Sequence, residues 1–255
     1  LDLRDALRDD ETDPRTLGLI IQRDMAMTAK VLKLVNSAFF GLRRTISDPQ
    51  EAVTHLGIDT VRFLVLSTSL FEQCPPFRVP GMSLSDLWQH SMLVAAGAKA
   101  IATVEGLSTA ERDEAFVGGL LHDVGVMILA SNFEGTYTKI SELVHAEGIR
   151  LSTAEQELLG VTHAEVGAYL LGLWGLPAGI LKIVSQHHRP HTFEEAGMTP
   201  LMAVHAADVL CGQREAHPML GRARFSHDSM LRSGLSSRIE AWMEACDTLT
   251  ERSTL

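Results

Sequence analysis

GGLLHDVGVMIL, residues 118–129, sets His122 and Asp123 side by side in an otherwise apolar run. The run reads as the end of a helix that starts at Thr109 and the beginning of another through Met127 to Leu129. Imidazole and carboxylate are the side chains that hold divalent metals. Neighbours on a helix diverge by about 100° and do not share a face. A pair at a helix end escapes that limit, because backbone geometry is looser there, and can converge on one ion. An acid in this run is costly to bury without a partner. A helix N-terminus or a neighbouring imidazole can be that partner as readily as a metal.

Helical signals continue in both directions. Upstream, Asp13-Pro14 and Asp48-Pro49 each pair an N-cap with proline at the first helical position. Between them, VLKLVNSAFFG carries Val31, Leu34, Val35 and Ala38 on one stripe and is expected to end at Gly41. A short helix closes at Gly57, and another runs through Val61, Leu64, Val65 and Thr68 to Phe71. Pro75, Pro76, Pro80 and Gly81 are the densest breaker cluster and read as a lobe boundary. Beyond it, a long helix opens at Ser83 or Ser85 and passes His90 to about Glu105, and one from Phe133 to Glu147 follows the His-Asp pair. Ser152–Glu155 and Thr162–Glu165 both fit the capping box. Pro177 starts a helix ending at His187-His188-Arg189-Pro190, and Pro200 starts the one with His205 and Asp208. Ser236–Arg252 is a last amphipathic helix with Ile239, Trp242, Met243 and Cys246 as its apolar face. No stretch alternates long enough to be a strand. The expected fold is all-α, a multi-helix bundle divided into an N-terminal helical lobe (1–80), a second helical lobe (81–212) and a C-terminal helical extension (213–255). The apolar stretch around Phe39, Phe40 and Leu42 is read as core rather than as a partner surface.

The 255 residues suffice for one large domain or two packed lobes. With 45% hydrophobic and 21% charged residues, most of the chain is expected to be ordered. Its net charge of -10 opposes sequence-independent nucleic-acid binding and attraction to an anionic membrane. No apolar run is expected to reach bilayer-spanning length, and the acidic N-terminus does not resemble a signal peptide. The three cysteines, Cys74, Cys211 and Cys246, are odd in number and distant in sequence, which argues for thiols in a reducing cytoplasm. The start at Leu1 rather than Met reads as a fragment of a longer protein.

His163, His187, His188 and Asp208 extend the His-Asp pair into a series. A carboxylate such as Asp123 can bridge two metals about 3.5–4 Å apart, which activates water for attack on phosphorus. Each residue also has a plainer reading. A histidine in an apolar helix is more often a core residue bonded to a backbone carbonyl than a ligand, and that reading is applied to His55, His145, His191, His217 and His227. His163 follows the helix cap Thr162, Asp208 can pair with Arg214, and His205 can be a supporting residue or surface.

LLHDVG, followed by ELLGVTHAEVGAYLLGLWGLPAGILKIVSQHH, resembles the HDOD family, related to the HD-domain metal-dependent phosphohydrolases. IIQRDMAMTAKVLKLVNSAFFG, with Asn36-Ser37, resembles that family's N-terminal lobe, and the likeness runs from about Thr16 to about Cys211. The resemblance implies an all-α, HD-like fold and a bacterial signalling setting, often behind a receiver domain. It also implies a metal ligand set of His90, His122, Asp123, His163, His187, His188 and Asp208, with one or two divalent ions (Fe, Mn, Mg or Zn). Two departures oppose catalysis. Val126 stands where active cyclic-dinucleotide phosphodiesterases of the related type carry a phosphate-contacting Lys. Arg189-Pro190 follows the paired histidines in place of Glu, and no GYP segment is present. Arg189 is the remaining candidate phosphate contact. The expectation is therefore a cytoplasmic signalling output or interaction module without turnover, partnered by signalling proteins and not by nucleic acid or membrane, with a homodimer left open. The alternative is a metal-dependent phosphohydrolase acting on a nucleotide or cyclic dinucleotide, with Asp123 central to its chemistry.

Overall fold

The computed structural model describes residues 13–37, 40, 42, 44–189, 197–215, 217, 219–220, 224–225 and 234–253. Among these the chain is all-α, with an isolated bridge between Val79 and Met82 as the extended pairing. It divides into two compact units, 1–73 with 249–255, and 74–248. The boundaries read from the sequence were 80/81 and 212/213; the units divide at 73/74, and residues 213–248 fall with the second.

The first unit contains α1 (Pro14–Gln22), α2 (Met25–Val35), α3 (Pro49–Leu56) and α4 (Ile58–Gln73). Asp13 accepts from the backbone N–H groups of Arg15 and Thr16, and Asp48 from that of Gln50, so both Asp-Pro starts are as expected. Asp24 caps α2 in the same way. Gly57 closes α3 at φ 85°, in the left-handed half of backbone space that favours glycine. Helix α2 ends at Val35, earlier than expected. The reason is Asn36: its amide donates to Leu32 O (2.8 Å) and Ile46 O (2.7 Å), and its Oδ1 accepts from Ile46 N (2.7 Å). The side chain thus ties the helix end to an incoming loop instead of continuing the helix. Ala38, Phe39 and Gly41 lie outside the described residues; Phe40 and Leu42 are half-buried.

The second unit contains α5 (Leu84–Val104), α6 (Thr109–Leu121), α7 (Val124–Asn132), α8 (Glu134–Glu147), α9 (Leu151–Leu159), α10 (His163–Leu173), α11 (Ala178–Gln186), α12 (Pro200–Glu215), a 3-10 turn (Ser236–Arg238) and, through Thr248, the greater part of α13 (Ile239–Ser253). Reciprocal capping boxes start α5 (Ser83 with Asp86), α6 (Ser108 with Glu111) and α10 (Thr162 with Glu165). The capping box read at Ser152–Glu155 does not form: α9 begins two residues earlier, with Arg150 rather than Ser152 as its N-cap, and Glu155 turns into the core. Helix α5 packs on α6 and α12, while α10 packs on α7 and α11.

Thr109–Asn132 is long and apolar enough, by length and composition, to cross a bilayer, which corrects the expectation from sequence. In the structure this stretch is α6 and α7 around the His122-Asp123 break, and most of it is buried within the unit. Trp242 and Cys246 of α13 are buried, and Trp242 Nε1 donates to Glu105 Oε1 (2.7 Å); Met243 faces solvent instead of the expected core. All three cysteines are free thiols, and Cys211 and Cys246 both lie against Gly97.

Candidate metal centre

Helix ends and the interiors of two helices supply the site. His122 is the C-cap of α6, and Asp123 precedes α7 without bonding its backbone, so the carboxylate is free to face inward. His163 is the first residue of α10, His187 caps the C-terminus of α11 with His188 next, His90 lies in α5 and Asp208 in α12. Glycines allow the approach. A Cβ on Gly119 would stand 2.8 Å from Ala95 Cα, so α6 lies directly on α5. A Cβ on Gly125 would fall 2.0 Å from His163 O, so the α7 backbone touches that of α10.

The result brings together all seven expected ligands. Asp123 Oδ1 is 3.2 Å from His163 Nε2 and 3.7 Å from His187 Nε2. Asp123 Oδ2 is 3.3 Å from His122 Nε2 and 3.8 Å from His90 Nε2. His188 Nε2 stands 2.8 Å from His163 Nε2 and 3.1 Å from His187 Nε2. Asp208 Oδ1 is 3.4 Å from His90 Nε2, and its Oδ2 is 3.8 Å from His188 Nδ1. Two donor groups able to hold a cation emerge, Asp123 with His163, His187 and His188, and Asp123 with His90 and His122. Asp123 belongs to both.

Hydrogen bonds aim the rings. His122 Nδ1–H donates to Gly119 O (2.6 Å) and His187 Nδ1–H to Val184 O (2.8 Å), which leaves both Nε2 atoms pointing at Asp123. His163 Nδ1–H donates to Glu155 Oε2 (2.6 Å). His205 is buried and donates Nδ1–H to His187 O (2.7 Å), so it supports the site from behind rather than lying at the surface. Neither Glu155 nor the His205 contact was legible in the sequence. Glu155 matched a capping signature, and its inward turn depends on where α9 starts.

Burial by itself would raise Asp123, but His122 and His163 hold its carboxyl well below the usual range. Asp208 behaves alike, burial being overcome first by His90. Burial, then the crowd of imidazoles, pushes His187 and His188 well below their ordinary value. His163 goes the other way: Glu155 and Asp123 outweigh burial and raise it. Two anionic carboxylates and neutral imidazoles with free lone pairs are what a divalent cation needs. Buried polar atoms without hydrogen-bond partners make the same case. His122 Nε2, Asp123 Oδ1 and Asp208 Oδ2 have none, and a buried unsatisfied group costs about 1–3 kcal/mol. The residues therefore fit a metal. Cations in the two donor groups would engage Asp123 and His122 and act as Lewis acids on any bound oxygen.

Arg189 is exposed, and its charge acts on Glu165. Val126 is wholly buried. Asp208 does not pair with Arg214, which binds Asp247 and Met243 O. Of the histidines set aside, His55 is exposed beside Glu51, His145 donates to Ser141 O (2.7 Å) and His217 accepts from the N–H groups of Met219 and Leu220. His191 and His227 lie outside the described residues.

A helical lobe built around a buried histidine-aspartate centre of this layout defines the HD-like class. The HDOD domain model matches residues 1–190, and the chain belongs to that family. An uncharacterized protein of Treponema pallidum (strain Nichols) is 26% identical over 196 residues, which span 76% of this chain and 37% of that protein. The crystal structure of an HDOD domain protein of unknown function from Geobacter sulfurreducens is similar at TM-score 0.71 and 27% identity, covering 97% of this chain and 90% of that one. A candidate signal transduction protein of Marinobacter aquaeolei VT8 shares the fold at TM-score 0.74 and 21% identity, covering 99% of this chain and 55% of that one.

Proposed function

We propose that this chain is a bacterial, cytoplasmic signalling output module whose second unit holds one or two divalent metals without turning over a substrate. The observation that carries the reading is how closed the donor set is. His90, His122, Asp123, His163, His187 and Asp208 have side chains no more than 6% exposed, and His188 is at 19%. A metal ion can occupy such a place, whereas a nucleotide needs an open cleft. Val126 adds to this, because a buried valine cannot hold a phosphate. The nitrogen-rich donor set suits Fe or Zn better than Mg. Signalling proteins, including a receiver domain on the same polypeptide, are the proposed partners, and self-association as a homodimer is compatible with this role.

A second reading, a metal-dependent phosphohydrolase acting on a nucleotide or cyclic dinucleotide, is favoured by one observation: Asp123 is shared by two donor groups. In that reading Asp123 and the histidines position the metals, and Arg189 contacts phosphate. One experiment separates the two. Metal content is measured on wild type and Asp123→Ala, with a phosphodiesterase assay in added manganese or iron. The proposal expects stoichiometric metal in wild type, its loss in the variant and no hydrolysis in either. Hydrolysis that disappears with Asp123→Ala would establish the second reading, and a wild type that binds no metal would sink both.

A further inference from the structure

We infer that Glu155 is a positioning residue of the metal centre, fixing the His163 ring and strengthening it as a ligand for a divalent cation. The inference rests on the metal reading above. It starts from helix ends. The last turn of a helix has carbonyls without intrahelical partners, and the first turn has N–H groups without them. His122 and His187 cap the C-termini of α6 and α11, so each finds a carbonyl three residues back for its Nδ1–H. His163 opens α10, so the residue three back, Gly160, belongs to the end of α9 and not to the same helix.

Glu155 fills that gap. Its Oε2 accepts from His163 Nδ1–H at 2.6 Å and from the His163 backbone N–H at 2.9 Å, so one oxygen holds both ring and main chain. Its Oε1 accepts from the Tyr137 hydroxyl. Glu155 and Tyr137 are both fully buried. A buried carboxylate is costly even when hydrogen-bonded, and starting the helix does not require one. Thr162 and Glu165 already form the capping box of α10. The positive end of the α10 dipole also points at the site and disfavours a cation there. A carboxylate at that end offsets the field, and one bonded to the far nitrogen of a ligating histidine makes the near nitrogen a better donor. Tyr137 keeps the carboxylate in place: burial, then Glu155 itself, holds its phenol well above the usual range, so it stays a donor.

The test compares manganese and zinc affinity, by competition with a chromophoric chelator, for wild type, Glu155→Gln and Glu165→Gln, together with thermal unfolding of each metal-free protein. Glu155→Gln is expected to bind about 10–100-fold more weakly. Glu165→Gln is expected to lower the melting temperature and leave affinity unchanged. Wild-type binding with Glu155→Gln within twofold of it would overturn the inference and leave the metal reading standing. A wild type that binds neither metal would remove the metal reading, and the inference with it. Should Glu155→Gln fail to fold, the zinc-loaded wild type decides by proton NMR. A slowly exchanging, downfield His163 Nδ1–H is expected, and its absence would overturn the inference.

Discussion

Asp123 Oδ1 lies 3.2 Å from His163 Nε2 because the backbones that carry the two residues touch at Gly125. A methyl group there would sit 2.0 Å from His163 O. That atom is main chain and cannot swing aside, so α7 or α10 must move as a whole.

Gly125→Ala is therefore expected to cost about 1–3 kcal/mol or more in stability and to weaken metal binding by separating Asp123 from His163. Urea unfolding and metal competition on the same variant measure both. Stability retained with full affinity would show that the contact between α7 and α10 does not set the site.

Acid is expected to destabilise the metal-free protein. His187 and His188, pushed down first by burial, and His205, lowered chiefly by burial, bind fewer protons folded than unfolded. Their effect appears as pH falls below the ordinary value of 6.5 toward the lowered ones. Asp123 and Asp208, held low, contribute stability above 3.8 that is lost on further acidification. His163, raised, acts in the opposite sense: its contribution is full below 6.5 and fades as pH rises through its elevated value. Between pH 7.5 and pH 5 three imidazoles oppose one, so melting temperature should fall over that interval, and the two carboxylates add a further loss only below 3.8. A rise over that interval would contradict the assignment.

Val126→Lys is expected to destabilise the fold by several kcal/mol without conferring phosphodiesterase activity, because the side chain is wholly buried and an unpaired ammonium there is not compensated. Chemical denaturation and the phosphodiesterase assay check this. A stable variant that hydrolyses a cyclic dinucleotide would mean that this position reaches substrate.

Trp242→Ala is expected to cost about 3–5 kcal/mol. Trp242 is fully buried, and its Nε1–H donates to Glu105. A urea titration gives the value. A loss under 1 kcal/mol would mark α13 as an appendage rather than part of the second unit.

Much of this protein is written in short-range signals. Asp13-Pro14, Asp48-Pro49, Ser83, Ser108 and Thr162 each announce a helix start, because a cap is a contract between residues two or three apart. The ligand types were legible for the same kind of reason, since His and Asp are rare in apolar runs. Where a signal had two readings, the sequence misled. Glu155 sits three residues after Ser152, as a capping box demands, yet the helix starts at Leu151 and its carboxylate serves His163. The helix through Val35 stops where Asn36 prefers the loop at Ile46 to another turn.

By itself, then, the sequence determined an all-α chain, the places where helices start, and a pool of histidines and acids fit for a metal. Only the tertiary structure decided that His90, His122, Asp123, His163, His187, His188 and Asp208 share one buried place, and that Glu155 and His205 stand behind it. The physical reason is range. Caps and periodicity act within a turn or two, while the site depends on helices distant in the chain meeting at Gly119 and Gly125, where side chains of almost no volume let one backbone lie against another.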